Sequence, residues 1–370
     1  MREDLVEVGT VKRFLLPGLF LALLLVLVQA GAANPQPNKV KQTADPIEAV
    51  AMDGSRVAYV SGGRLRVWNV VSGTTSVVKG RYGSSQEYAT ASEIAIAGKR
   101  LAWIRSAYHG NTELDYWLYT ARLGGSAHLL RRALGYNNTD CGLGGPQIDG
   151  LVGSGTFLAV STWTFNNNGS DSWNERLNLI APTGLRTITS GSNAIVSASA
   201  DANHIAVIPL GRVSMAPGYC VSLPSTSLSI YIYSGHGALL SKVAVSTHNP
   251  GVLPVALSGR QLVVLTSERA VTLSVYDWQT GALLHSWPVA VSWRGGVLAV
   301  YGHLAAVQGR RLHLVDLQTG TDVRVTRTTV GAFPAIGARG LVYAVNPSKD
   351  GRPARLVFVP MARLLAMVSK

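Results

Sequence analysis

Short apolar runs separated by polar turns recur along almost the whole chain, and this cadence leaves few folds open. Four runs follow one another in residues 252–289: 252–257 (VLPVAL), 261–266 (QLVVLT), 271–276 (VTLSVY) and 282–289 (ALLHSWPV). Each is of strand length, rich in Val, Leu, Thr and aromatics, and bounded by Gly, Ser, Asn or Asp, the pattern of successive hairpins. Seven such units fill residues 47–368, starting at Ile47, Ser92, Gln147, Ala194, Gly251, Trp293 and Val330, at about 46 residues each. One four-stranded sheet cannot bury both of its faces. Packing sheets radially around an axis buries both and leaves only short edges. The prediction is an all-β β-propeller over residues 47–370 with seven four-stranded blades. Long insertions in units three and four keep six or eight blades open.

Two details of the repeat sharpen this reading. The last unit supplies its fourth strand at 363–368 (RLLAMV), so the ring closes on unit one without strand exchange. Three units also share a turn after their third strand: Asn69 to Gly73, Asp277 to Gly281 and Asp316 to Gly320. Asn or Asp hydrogen-bonds the backbone two residues on, and Gly supplies a positive φ. These side chains are turn-formers and are assigned no chemistry.

At Val67-Trp68-Asn69 and Tyr276-Asp277 the units resemble blades of the WD40, TolB and quinoprotein-like β-propeller superfamily. Asp277-Trp278-Gln279-Thr280-Gly281 followed by Trp287 is similar to the docking motif of quinoprotein-type blades. The resemblance covers about 320 residues and implies a fold. Such propellers serve as scaffolds, ligand readers and, in a minority, enzymes, so it implies no single function.

Apolar residues make up 47% of the chain, ample for seven inter-sheet cores, and charged residues only 14%, too few for helical surfaces. The N-terminus reads as an export signal. Lys12-Arg13 precedes an apolar run at 14–28, and Ala30-Gly31-Ala32 follows as a cleavage site. Residues 1–32 are a signal peptide or, uncleaved, a membrane anchor, and 33–46, with three prolines, a linker. The location expected is extracytoplasmic. The net charge is +13, with no basic run of five, so nucleic acid is not an expected partner. The charge reads as a soluble basic exterior or, alternatively, as attraction to an anionic cell-envelope polymer or lipid headgroups.

Repeat logic also places the loops. Long segments at 107–115, 164–175 and 210–227, with the connection 135–146, all emerge on one face. They carry the candidate binding residues Tyr108, Asn111, Tyr136, Asp140, Phe165, Asn167, Asp171, Trp173 and Tyr219, with Trp163 at the edge. Aromatic faces beside amides and carboxylates suit stacking on a sugar or gripping a peptide; alternatively they cover the loops' own small cores. Cys141 and Cys220 project from the same face, and an exported setting permits a disulfide between them. Neither a nucleophile elbow, a zinc motif nor a phosphate-binding loop appears, and no cofactor or metal is expected. His204 and His313 fall within strands and read as satisfied, partly buried imidazoles. The function expected is a monomeric binding or scaffold module of the cell envelope that recognises a protein or glycan. The alternative is an exported hydrolase, lyase or quinoprotein-like oxidoreductase with a site at the central channel mouth.

Overall fold

The apolar runs fold into seven four-stranded antiparallel sheets. The computed structural model describes residues 37–80, 90–109, 113–136, 146–166, 172–191, 195–209, 227–246, 254–267, 270–291, 297–328, 330–347 and 352–369. A first strand, β1 (Lys39–Thr43), precedes the blades. Blade 1 is β2 (Ile47–Asp53), β3 (Arg56–Ser61), β4 (Arg64–Asn69) and β5 (Thr75–Val77). Blade 2 is β6 (Thr90–Ala97), β7 (Arg100–His109), β8 (Glu113–Arg122) and β9 (His128–Tyr136). Blade 3 is β10 (Pro146–Ser154), β11 (Phe157–Asn166), β12 (Ser172–Ala181) and β13 (Gly184–Gly191). Blade 4 is β14 (Ile195–Ala200), β15 (His204–Pro209), β16 (Ser227–Ser234) and β17 (Leu239–Ser246). Blade 5 is β18 (Val255–Ser258), β19 (Gln261–Ser267), β20 (Val271–Asp277) and β21 (Leu283–Pro288). Blade 6 is β22 (Val297–Tyr301), β23 (Leu304–Gln308), β24 (Leu312–Asp316) and β25 (Asp322–Arg324). Blade 7 takes β26 (Ala332–Gly337), β27 (Gly340–Val345) and β28 (Ala354–Pro360) from the end of the chain.

The fourth strand of blade 7 is β1, which corrects two expectations. Strand order there is β1-β28-β27-β26, with Lys39 opposite Phe358 and Thr43 opposite Ala354. Residues 39–43, read as linker, are therefore part of the sheet, and the ring closes by strand exchange. The segment expected as the last strand is instead a helix, α1 (Met361–Val368), entered through extended Pro360. Its residues are all good helix formers up to Val368, and none before that is β-branched. Leu364 and Val368 share one face a turn apart and are buried against β24, β27 and β28.

The core is distributed between blades. Seven clusters of buried apolar side chains lie one at each junction, including the junction of blade 7 with blade 1. Strand alternation explains how each sheet serves two of them. In β3, Ala58 and Val60 face blade 2, while Val57 and Tyr59 face blade 7.

Turns stitch the ring. The predicted Asx turns form as expected: Asn69, Asp277 and Asp316 each accept a backbone N–H two residues on, at 2.9, 2.9 and 2.8 Å. Gly73, Gly281 and Gly320 close them at φ of 76°, 75° and 76°. The outer strand of one blade then docks on the next blade's turn. Trp287 donates from Nε1 to the Leu317 carbonyl at 3.1 Å and lies over Gly320. Ser241 Oγ donates to the Trp278 carbonyl at 2.7 Å, and Lys39 Nζ on β1 to the Val70 carbonyl at 2.6 Å. Trp287 thus makes the docking contact that the quinoprotein-like motif implied. The turns between first and second strands also meet. Asp53 accepts from Gly98 N–H at 2.5 Å, Asp201 from Gly259 N–H at 3.1 Å and Ser258 Oγ from Gly302 N–H at 2.8 Å.

Candidate functional site

The turns between first and second strands meet at the junctions of blades 1 and 2, 4 and 5, and 5 and 6, which holds that face level there. Differences in strand length must appear on the other face. There β7, β8, β11 and β12 have 10 residues each, against 5 each for β23 and β24. At about 3.3 Å per residue, blades 2 and 3 rise about 16 Å above blade 6. The segments read as loops at 107–115 and 164–175 are largely these strand extensions. Pairing continues to His109 with Glu113 in blade 2 and to Asn166 with Ser172 in blade 3.

The expected binding residues follow from this. Tyr108 lies in β7, Tyr136 at the end of β9, Phe165 in β11 and Trp173 in β12, with Phe165 opposite Trp173. Tyr136 pairs with Glu113 beside them. Trp163, also in β11, is buried, with 7% of its surface exposed. Asn111, Asp140, Asn167, Asp171, Tyr219, Cys141 and Cys220 lie outside the described residues, as does the export segment 1–32.

Beneath the tall hairpins is a polar layer that the sequence reading did not single out. Arg105, Asp115 and Glu175 are buried. Arg132 pairs with Asp115 at 3.3 Å and lies over the Trp117 ring at 5.9 Å. Ser161 Oγ donates to Glu175 Oε1 at 3.1 Å, and Asn178 Nδ2 to Thr162 Oγ1 at 3.0 Å. Burying charge is costly unless it is paired and hydrogen-bonded, so such a layer fixes the hairpins in one register.

A second feature opens on the same face across the ring. A cavity of about 710 Å³ lies between blades 6 and 7 and is lined by Arg310, Arg311, Arg327, Arg352 and Arg355. All five are exposed. Arg310 and Arg311 come from the turn between β23 and β24, Arg327 from the connection of the two blades, and Arg352 from the end of the connection between β27 and β28. Arg355 stands in β28, opposite Val345 on one side and Gln42 of β1 on the other. Along the chain these arginines look scattered. Arg310–Arg311, Arg327 and the Arg352–Arg355 segment are brought together because each lies on the loop face at the junction of blades 6 and 7.

Elsewhere the two strand histidines are satisfied, as their positions implied. His313 Nδ1 lies 2.8 Å from Asp322 Oδ1, and His204 Nδ1 lies 3.0 Å from Asp201 Oδ1 with its ring against Trp278. Burial works to raise the Asp322 carboxyl. The His313 hydrogen bond, the Ala290 N–H and the His313 charge outweigh that and hold it below the ordinary carboxylate range. Among the described residues, no three His, Cys, Asp or Glu side chains gather as a metal group, and no helix is long and apolar enough to cross a membrane.

No protein family matches the sequence, and no curated protein does. Solved structures do. The chain is similar to one from the crystal structure of the mitotic checkpoint complex, at 11% identity and a TM-score of 0.53, over 97% of this chain and 98% of that one. It is similar to Pyrococcus horikoshii acylaminoacyl peptidase at 12% identity and a TM-score of 0.50, over 84% of this chain and 50% of that one. A chain of Saccharomyces cerevisiae Sqt1 matches at 11% identity and a TM-score of 0.47, over 88% of this chain and 99% of that one. At these identities the likeness is one of fold. The chain is a seven-bladed β-propeller.

Proposed function

We propose that this propeller is a binding module of the cell envelope, holding a protein or glycan partner against the raised hairpins of blades 2 and 3. The observation that supports the reading is the length of the middle strands of those blades, 10 residues each against 5 each in blade 6. A propeller needs only short strands to close its core, and an extension of about 16 Å beyond blade 6 adds surface without adding to the ring. The polar layer below gives that surface a fixed shape, and Tyr108, Tyr136, Phe165 and Trp173 populate its strands. Aromatic side chains suit contact with a peptide or a sugar. The extracytoplasmic location rests on residues 1–32, and a Cys141–Cys220 bridge would tie the connection after β9 to the one after β15.

The test exchanges residues 167–171 for Gly and Ser in the full chain. This leaves the ladder from Asn166–Ser172 downwards intact. Both chains are then used to capture ligands from cell-envelope extract. The expected result is one discrete protein or glycan held by the native chain and lost from the variant. Capture that survives the exchange but is stripped by moderate salt would assign binding to the +13 charge and refute the site.

A further inference from the structure

We propose that the arginine-lined cavity between blades 6 and 7 binds an anion carrying two or more phosphoryl groups. Five arginines line one cavity, while among the described residues the ion pairs involve Arg132, His204, Arg260 and His313 and none of the five. Among the described residues no acidic side chain lines the cavity beside them, so like charges are gathered there. Its walls are fixed. Asn346 accepts from Ile47 N–H at 2.9 Å and donates back to the Ile47 carbonyl at 2.8 Å, clamping blade 7 to blade 1. Thr326 Oγ1 donates to the Thr328 carbonyl at 2.6 Å, shaping the segment that bears Arg327. Gly309 N–H donates to the Arg311 carbonyl at 3.0 Å, shaping the turn that bears Arg310 and Arg311.

The residue type narrows the ligand. Among the described residues, the five cations lining the cavity are all Arg. The planar fork of Arg matches phosphate oxygens two at a time, whereas Lys acts as a point charge. A charge of +5 exceeds what a single phosphate or carboxylate neutralises, and a compact oligophosphate matches it. The volume is that of a small-molecule site. An extended nucleic-acid strand fits less well, because among the described residues no aromatic side chain lines the cavity to stack on a base. The same phosphoryl chemistry occurs in soluble oligophosphates and in polyphosphorylated lipid headgroups, so the experiment separates these two sources.

Tripolyphosphate is titrated into the full chain by calorimetry. Binding to vesicles of phosphatidylcholine with 5% phosphatidylinositol bisphosphate is measured in parallel. The variants are R311Q/R327Q in the cavity and R260Q on the level face, where Arg260 is exposed and pairs with Asp277 at 2.6 Å. All altered side chains are exposed, and melting curves confirm folding. The result expected is one-to-one tripolyphosphate binding that raises the melting temperature, weakens tenfold or more in R311Q/R327Q, and changes less than twofold in R260Q. Vesicle binding lost in R311Q/R327Q, kept in R260Q and without tripolyphosphate binding supports the same site with a headgroup as its ligand. Binding in neither arm, or equal weakening by R260Q, overturns the proposal in favour of net charge alone.

Discussion

Gly320→Ala separates the docking of Trp287 from the ordinary cost of a turn. The structure contains its own controls. Gly73, Gly281 and Gly320 close the same turn at φ of 76°, 75° and 76°. A Cβ added at Gly73 or Gly281 meets nothing within 4 Å, whereas at Gly320 it would lie 2.5 Å from Trp287 Cε3 and 2.7 Å from Cδ2. All three alanines take on left-handed strain of about 1–2 kcal/mol. Only Gly320→Ala adds overpacking, another ~1–3 kcal/mol. The expected losses are about 1–2 kcal/mol for G73A and G281A and about 2–5 kcal/mol for G320A. At roughly 2 °C per kcal/mol, the melting temperature falls by about 2–4 °C and about 4–10 °C respectively. Calorimetric melting and urea midpoints measure this. Adding Trp287→Ala relieves the clash, so the double variant is more stable than the sum of its singles by about 1–3 kcal/mol. Equal losses in all three alanine variants, or additivity in the cycle, would refute the docking of Trp287 on the neighbouring turn.

Three further outcomes are expected of the same fold. Val40→Pro removes a donor in β1 opposite Val357; amide exchange in β28 should accelerate tenfold or more while blade 3 is unchanged. Leu364 is fully buried at the junction of blades 6 and 7, so Leu364→Ala should cost about 2–5 kcal/mol in urea unfolding. Asp322, held below the ordinary carboxylate range, stabilises the fold fully above that range and loses its contribution as pH falls through its lowered value. Asp322→Asn should therefore cost about 1–2 kcal/mol at pH 7 and flatten the acid limb of a stability–pH curve.

The blades were legible because each strand carries its own apolar alternation and each Asx-Gly turn its own punctuation. What was hidden depended on partners far away in sequence. KVKQT at 39–43 has one apolar residue and pairs with β28, more than 300 residues on, so no local pattern marks it as a strand. Residues 361–367 (MARLLAM) sat where the repeat wanted a strand, although their helix propensity and the preceding Pro360 pointed the other way. The segments 107–115 and 164–175 were taken for irregular loops. Alternation through 113–119 (ELDYWLY) already signalled that the ladder continues. The five arginines of the cavity gave no signal as a run, since three different connections and one strand supply them.

A consequence for biosynthesis follows from the pairing of β1 with β28. Strand β1 leaves the ribosome first among the described elements, and its neighbour is completed more than 300 residues later. At ~5–20 residues per second, that interval is on the order of 15–60 s, during which β1 has no sheet to join. An apolar strand left waiting so long would invite pairing with another chain. Lys39, Lys41, Gln42 and Thr43 instead give β1 a polar, positively charged character that keeps it soluble and single until its place exists. The feature that hid this strand in the sequence is thus one that protects the nascent chain.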